Sequence, residues 1–144
     1  MSPPHNDKSL KEFDQQLNDA YLRAEYWAGD FCLKIGHPAP KLDAWLRAHG
    51  HSHYAFITPC NPRSQVISDE KNTERLNELR DLLNMFRLDF LPATGRDPQG
   101  EWPDEPGFLV FDIPLSVLHD VARGYEQNAV VEGRLRGVPL LVWL

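Results

Sequence analysis

Residues able to bind hydrogen, carry protons or stack on a ligand fall in four groups, each at the end of an apolar segment. They are Thr58, Asn61 and Ser64; Asn72 and Arg75; Trp102 and Glu105; and Gln127 with Asn128. Glu105 is suited to accept a hydrogen bond or to act as a general base. Asn72, Arg75 and the free amides at a helix start are donors for a polar or anionic ligand, and Trp102 offers a stacking wall or lid.

Two other sets of side chains invite chemistry. His49, His51 and His53 alternate with Gly50 and Ser52, so an extended backbone points all three imidazoles one way, as zinc or nickel ligands require. A solvated histidine-rich loop accounts for the same residues, and no carboxylate or cysteine stands at a usual ligand spacing beside them, so neither a metal nor a cofactor is expected. Cys60 follows Pro59 near a helix N-terminus, where a thiol pKa can fall. No histidine is tied to it by spacing, which leaves it without a base.

The elements that position these residues are legible from periodicity. Residues 54–57 read as a short buried strand that runs into the polar turn. Ser68 is a good N-cap for the next helix, with Asp69 and Glu70 complementing its dipole. Leu76, Leu79, Leu83 and Phe86 set the buried face of that helix, and one turn back from Leu76 the same stripe carries Asn72. An asparagine there cannot simply face water, so it should hydrogen-bond the preceding loop near Asn61, with Arg75 flanking the spot.

Strands are expected at 88–93 and 108–113, joined by a long loop over 94–107 whose glycines and prolines argue against regular structure. Pro114 opens a helix with Leu115, Leu118, Ala122 and Tyr125 inward, and a strand follows at 129–131. Upstream, Ser9 and Glu12 form a capping box for a helix ending near Arg23, after a frayed tail over 1–8. Gly29-Asp30 joins two apolar runs as a β-hairpin, and a short helix runs from Pro40 to just before Gly50. The apolar C-terminus, 138–144, should be a strand paired beyond Val130 or across a dimer interface.

The resulting fold is α+β in two layers. Its core, over about residues 54–132, has the ferredoxin-like order strand-helix-strand-strand-helix-strand, to which the N-terminal helix, hairpin, short helix and C-terminal strand are added. In that topology the first strand exits where the middle hairpin turns and where the second helix meets the last strand. The four polar groups are therefore expected at one end of the sheet.

Composition bounds the function. At 144 residues, the chain fits a single domain over 1–144 with a core that needs neither disulfides nor metal. A formal net charge of -6 argues against a nucleic-acid partner, which demands a basic face. Cys32 and Cys60 form no framework, no apolar run approaches a membrane span, and the first residues lack an export signal, so a cytoplasmic protein is expected.

Phe56-Ile57-Thr58, Asn61-Pro62, Ser64, Asn72 with its leucine-rich helix, Trp102, Glu105, Phe108 and Gln127-Asn128-Ala129-Val130, in this order, resemble the bacterial family labelled DUF3293. Phe31, Leu33, Ile35 and Gly36 fit as well. The chain departs from the family pattern at Pro59-Cys60 and in the Pro103-Asp104 spacing between Trp102 and Glu105. The resemblance implies no reaction, because the family is one of unknown function. Three readings follow, in this order: a pocket for a small polar or anionic ligand; a small hydrolase or transferase with Glu105 as general base; and a non-enzymatic interaction domain, dimeric through its C-terminal strand.

Overall fold

The computed structural model describes the backbone over residues 4–144 and side chains over 14–144. Helix α1 spans Pro4–Arg23. It is already under way before Ser9, so the expected capping box sits inside the helix rather than at its start. The side chains of Ser9 and Glu12 lie outside the described residues, as do residues 1–3 of the expected tail. Strands β1 (Glu25–Ala28) and β2 (Phe31–Lys34) form the expected hairpin, with Gly29 at φ 57° in the left-handed region that its turn demands. Helix α2 (Pro40–His49) starts on Pro40 and stops on Gly50 at φ 72°.

Strand β3 (His53–Ile57) leads through a 3-10 turn at Pro62–Ser64 to helix α3 (Asp69–Met85), whose N-cap Ser68 accepts from the Lys71 amide at 3.2 Å. Leu79 and Leu83 are buried on α3, but Phe86 caps its C-terminus and is exposed. The apolar stripe therefore ends one turn earlier than its spacing predicts.

Strands β4 (Phe90–Arg96) and β5 (Glu105–Phe111) are longer at their shared turn than expected. The ladder runs out to Thr94↔Pro106 and Gly95↔Glu105, so the connecting loop shrinks from 94–107 to 97–104. Gly107, which reads as a loop residue, is in the ladder because β5 passes so close to β3 that any Cβ there would strike the Ile57 carbonyl and the Thr58 Cα. Helix α4 (Leu115–Gly124) and strands β6 (Ala129–Arg134) and β7 (Leu140–Trp143) complete the chain. The C-terminal strand pairs with β6, Val130 opposite Val142, as its apolar composition predicts.

All seven strands make one antiparallel sheet in the order β2-β1-β4-β5-β3-β6-β7. The fold is α+β, but the two-layer expectation is corrected. Alternate residues of each strand feed two separate cores. On one face Ala55, Ile57, Phe108 and Val110 pack under Leu79 and Leu83 of α3 and Leu118 and Ala122 of α4. On the other, Tyr54, Phe56, Leu109 and Phe111 pack under Leu42 and Leu46 of α2. Helix α1 shares that second face, with Leu17 and Ala20 buried beside Phe56 and Leu141. Helices thus cover both faces, because an amphipathic stripe says that a helix is packed but not on which side of the sheet.

Candidate functional site

The loop leaving β3 is held in a costly conformation. Asn61, Arg63 and Ser64 have φ of 48°, 55° and 59°, a region that non-glycine residues enter only when their surroundings compel it. The compulsion is a set of hydrogen bonds from distant segments. The Asn61 amide donates to Asn72 Oδ1 at 3.0 Å, and Asn72 Nδ2 returns a bond to Asn61 Oδ1 at 2.9 Å. Arg75 donates to the Pro59 and Tyr125 carbonyls, both at 2.6 Å. Gln127 Nε2 donates to the Cys60 carbonyl at 3.0 Å, and Asn128 Nδ2 to Ser64 Oγ at 2.9 Å. Thr58 Oγ1 accepts from the Cys60 amide and donates to the Pro106 carbonyl at 2.7 Å.

The polar residues expected at one end of the sheet are therefore gathered there. Most of their capacity is spent on the loop itself. Asn72, Arg75, Gln127 and Asn128 are braces, and Ser68 takes the Lys71 amide of α3, so the side-chain donors expected for an anion are occupied. Asn61 reaches further: its Nδ2 donates to Glu105 Oε1 at 3.3 Å on the face covered by α1.

That bond opens on a cavity of about 70 Å³ between α1 and the sheet. Tyr21, Tyr26, Phe56, Trp102 and Leu141 contribute its largely apolar and aromatic walls, and Glu105 its carboxyl group. Burial pushes Glu105 up to about 7, with the Asn61 amide pulling weakly the other way. Burial likewise raises the Tyr21 and Tyr26 hydroxyls, so both remain neutral phenols. The Tyr21 and Ser64 hydroxyls lie 3.3 Å apart, tying α1 to the strained loop.

Trp102 is outside this network and is positioned by residues that periodicity does not reveal. Asp97, 8% exposed, takes Arg23 Nε and Nη2 at 2.9 and 3.0 Å and also accepts the amides of Gln99, Glu101 and Trp102. The Arg23 guanidinium, with burial opposing and the three amides assisting, holds the Asp97 carboxyl well below the usual range. This anchor folds the 97–104 loop so that Trp102 stands between the cavity and a groove beside Gln16 and Asp19. The Asp97-Pro98-Gln99-Gly100 run carries a local turn signal, but nothing in the sequence pairs it with Arg23.

The three histidines do not share one site. His49 stacks on Trp45 with ring centroids 4.0 Å apart and bonds the Trp45 carbonyl, while His51 lies between Asp112 at 2.7 Å and Asp89 at 3.0 Å, and His53 Nε2 stands 4.0 Å from the same Asp112. Asp112 also accepts the Ser52 and His53 amides; these bonds outweigh the upward push of burial and hold it at about 2. Among the described residues no group of three or more His, Cys, Asp or Glu is arranged to hold a metal ion. Cys60 is wholly buried with Sγ 3.5 Å from the Pro106 carbonyl, and burial raises its thiol rather than lowering it. No helix among the described residues is long and apolar enough to cross a membrane.

A family model described as "Protein of unknown function (DUF3293)" matches residues 57–130, half of the chain, from the end of β3 to the start of β6. Comparison with curated proteins and with solved structures found no match. The matched stretch contains the strained loop, its braces and Glu105, whereas Tyr21, Tyr26 and Leu141 lie outside it; on this match the chain belongs to the DUF3293 family.

Proposed function

We propose that the cavity between α1 and the sheet is a binding site for a small polar molecule, with Glu105 as the group that recognises it. The observation that carries this reading is a carboxyl group buried among aromatic walls, held by one donor, Asn61, and facing about 70 Å³ of space. Burying an ionisable group is costly and adds nothing to folding that a leucine would not supply better. The strained loop supports the reading too, since such backbone is kept where it orients functional groups. A thermal-shift screen of small polar metabolites tests it, because a ligand of the native state must raise Tm. Ligands that raise Tm equally in the wild type and in a variant whose cavity is filled at Ala20 by Phe would remove the cavity as their site.

A second reading, proton-transfer catalysis by Glu105 in a small hydrolase or transferase, is favoured by one observation. A carboxyl group at about 7 can both take and give a proton near neutral pH. Turnover with a bell-shaped or sigmoidal pH profile centred near 7, lost in Glu105→Gln, is the outcome it requires.

An interaction role, third in order, is supported by the edge strand β7, where Leu140 is 55% and Trp143 44% exposed. A homodimer through β7 predicts a doubled mass in sedimentation that Leu140→Lys abolishes. We also propose a ferredoxin-like core from β3 to β6, supported by the antiparallel order β4-β5-β3-β6 with α3 and α4 on one face. A cytoplasmic setting is supported by two unpaired cysteines, Cys32 and Cys60.

A further inference from the structure

We propose that the ligand of this cavity is a small organic cation, a short alkylammonium of about three to five non-hydrogen atoms, whose charge is met by the free oxygen of Glu105. The inference rests on the cavity being a ligand site and adds the chemistry of what fills it.

The case begins with the sign of the charges around Glu105. Glu105 pairs with Gly95 in the β4-β5 ladder, and Gly95 pairs with Tyr26 of β1, so all three positions share the cavity face. Arg96, next along β4, pairs with Glu25 and therefore stands on the opposite face. It borders the cavity, but burial and the Asn61 bond alone act on the Glu105 carboxyl, with no contribution from a neighbouring cation. The three other arginines at this end are committed elsewhere: Arg23 to Asp97 and Glu101, Arg63 to Glu126, and Arg75 to two loop carbonyls.

The titratable groups that do face Glu105 are Tyr21 of α1, Tyr26 of β1 and Cys60 of the strained loop, all kept neutral by burial, with Asp97 already paired. No fixed cation among the described residues neutralises Glu105. Asn61 binds Oε1, which leaves Oε2 for a partner from outside. An anionic ligand would meet an unscreened carboxylate in an apolar enclosure, a costly arrangement. A cation gains that carboxylate and the aromatic lining of Tyr21, Tyr26 and Trp102 together, the pairing on which ammonium recognition rests. The formal net charge of -6 adds a general attraction for cations over anions.

Size follows from the space. A cavity of about 70 Å³ equals the liquid share of roughly two to three water molecules, hence it takes an ammonium group and the first carbons of a short alkyl chain. Protonation of Glu105, at about 7, competes with the ligand. Each pH unit below that value should weaken cation binding about tenfold, and binding should level off above it.

The test uses three probes of matched shape and different charge on the full chain: n-butylammonium, n-butanol and butyrate. Binding is read by ¹H-¹⁵N NMR shifts of residues around the cavity. The expected result is binding of n-butylammonium that tightens about tenfold from pH 6 to pH 8 and is weakened at least tenfold in a folded Glu105→Gln variant. If n-butanol or butyrate binds this site as well as n-butylammonium, the cation proposal is overturned while the cavity remains a ligand site. If no probe shifts the cavity resonances at any pH, both fall. Should Glu105→Gln fail to fold, the pH dependence in the wild-type chain decides alone, and a flat profile overturns the proposal.

Discussion

Asn61 and Asn72 hold each other by two reciprocal hydrogen bonds, at 3.0 and 2.9 Å, and through them a residue on α3 controls the group that touches Glu105. Asn72→Ala leaves the buried Asn61 amide without its acceptor, while Asn61 Oδ1 keeps only the Ile67 amide. The expected cost is about 2–3 kcal/mol, read as a lower urea midpoint with unchanged slope. Asn72→Asp keeps the acceptor and should recover part of that loss.

Glu105 makes stability fall as pH rises. Its folded pKa, about 7, lies above the ordinary 4.5, so between those values the folded chain binds more protons than the unfolded one, and ionisation penalises the fold. The contribution is intact below about 4.5, is lost through 7, and is constant beyond. Glu105→Gln should match the wild type near pH 4.5 and exceed its stability at pH 8 by on the order of 2–3 kcal/mol. Equal pH dependence in the two chains would show that Glu105 ionises as freely as a surface carboxylate.

Asp97 acts with the opposite sign. Its folded pKa is depressed, so its stabilising effect is present above the ordinary carboxylate range and is lost as the pH falls below about 4. Asp97→Asn should remove the bidentate clasp on Arg23 and release the loop that carries Trp102. The difference in emission between chains with and without Trp102→Phe should shift to the red, and Tm should drop.

Cys60 should be inert. It is wholly buried with a raised thiol pKa, while Cys32 is partly exposed. In the native chain a thiol reagent should modify Cys32 first and Cys60 slower by about a hundredfold or more, at the rate of local opening. Comparable rates for both would contradict the packing of the loop against Pro106.

The parts of this structure that sequence reveals are those decided within a few residues. Gly29-Asp30, Pro40, Gly50 and Ser68 each dictate a turn or a cap through their own covalent chemistry, and each stands where that chemistry places it. Asn72 is legible for a related reason, since a polar residue on an apolar stripe must find a partner nearby. Gly95, Pro106 and Gly107 mislead because the β4-β5 ladder holds them as strand residues, and at Gly107 the reason is how closely β5 passes β3, a distance set by strands far away in the chain. Arg23 and Asp97 stand 74 residues apart, and no local rule couples them. Tyr21 is legible as a packed helix residue; that it faces a cavity depends on α1 crossing the sheet face opposite α3 and α4.

Strand β7 supplies Leu141 to the cavity and, through Trp143, grips α1: the indole donates to Asn18 at 3.0 Å and meets the Tyr21 ring edge-on at 5.5 Å. The roof of the cavity is thus made by the first helix and secured by the last strand. A disturbance of strand β7 is therefore felt at the cavity without touching Glu105: freeing Trp143 from Asn18 and Tyr21 unlatches α1, and the chamber loses its roof.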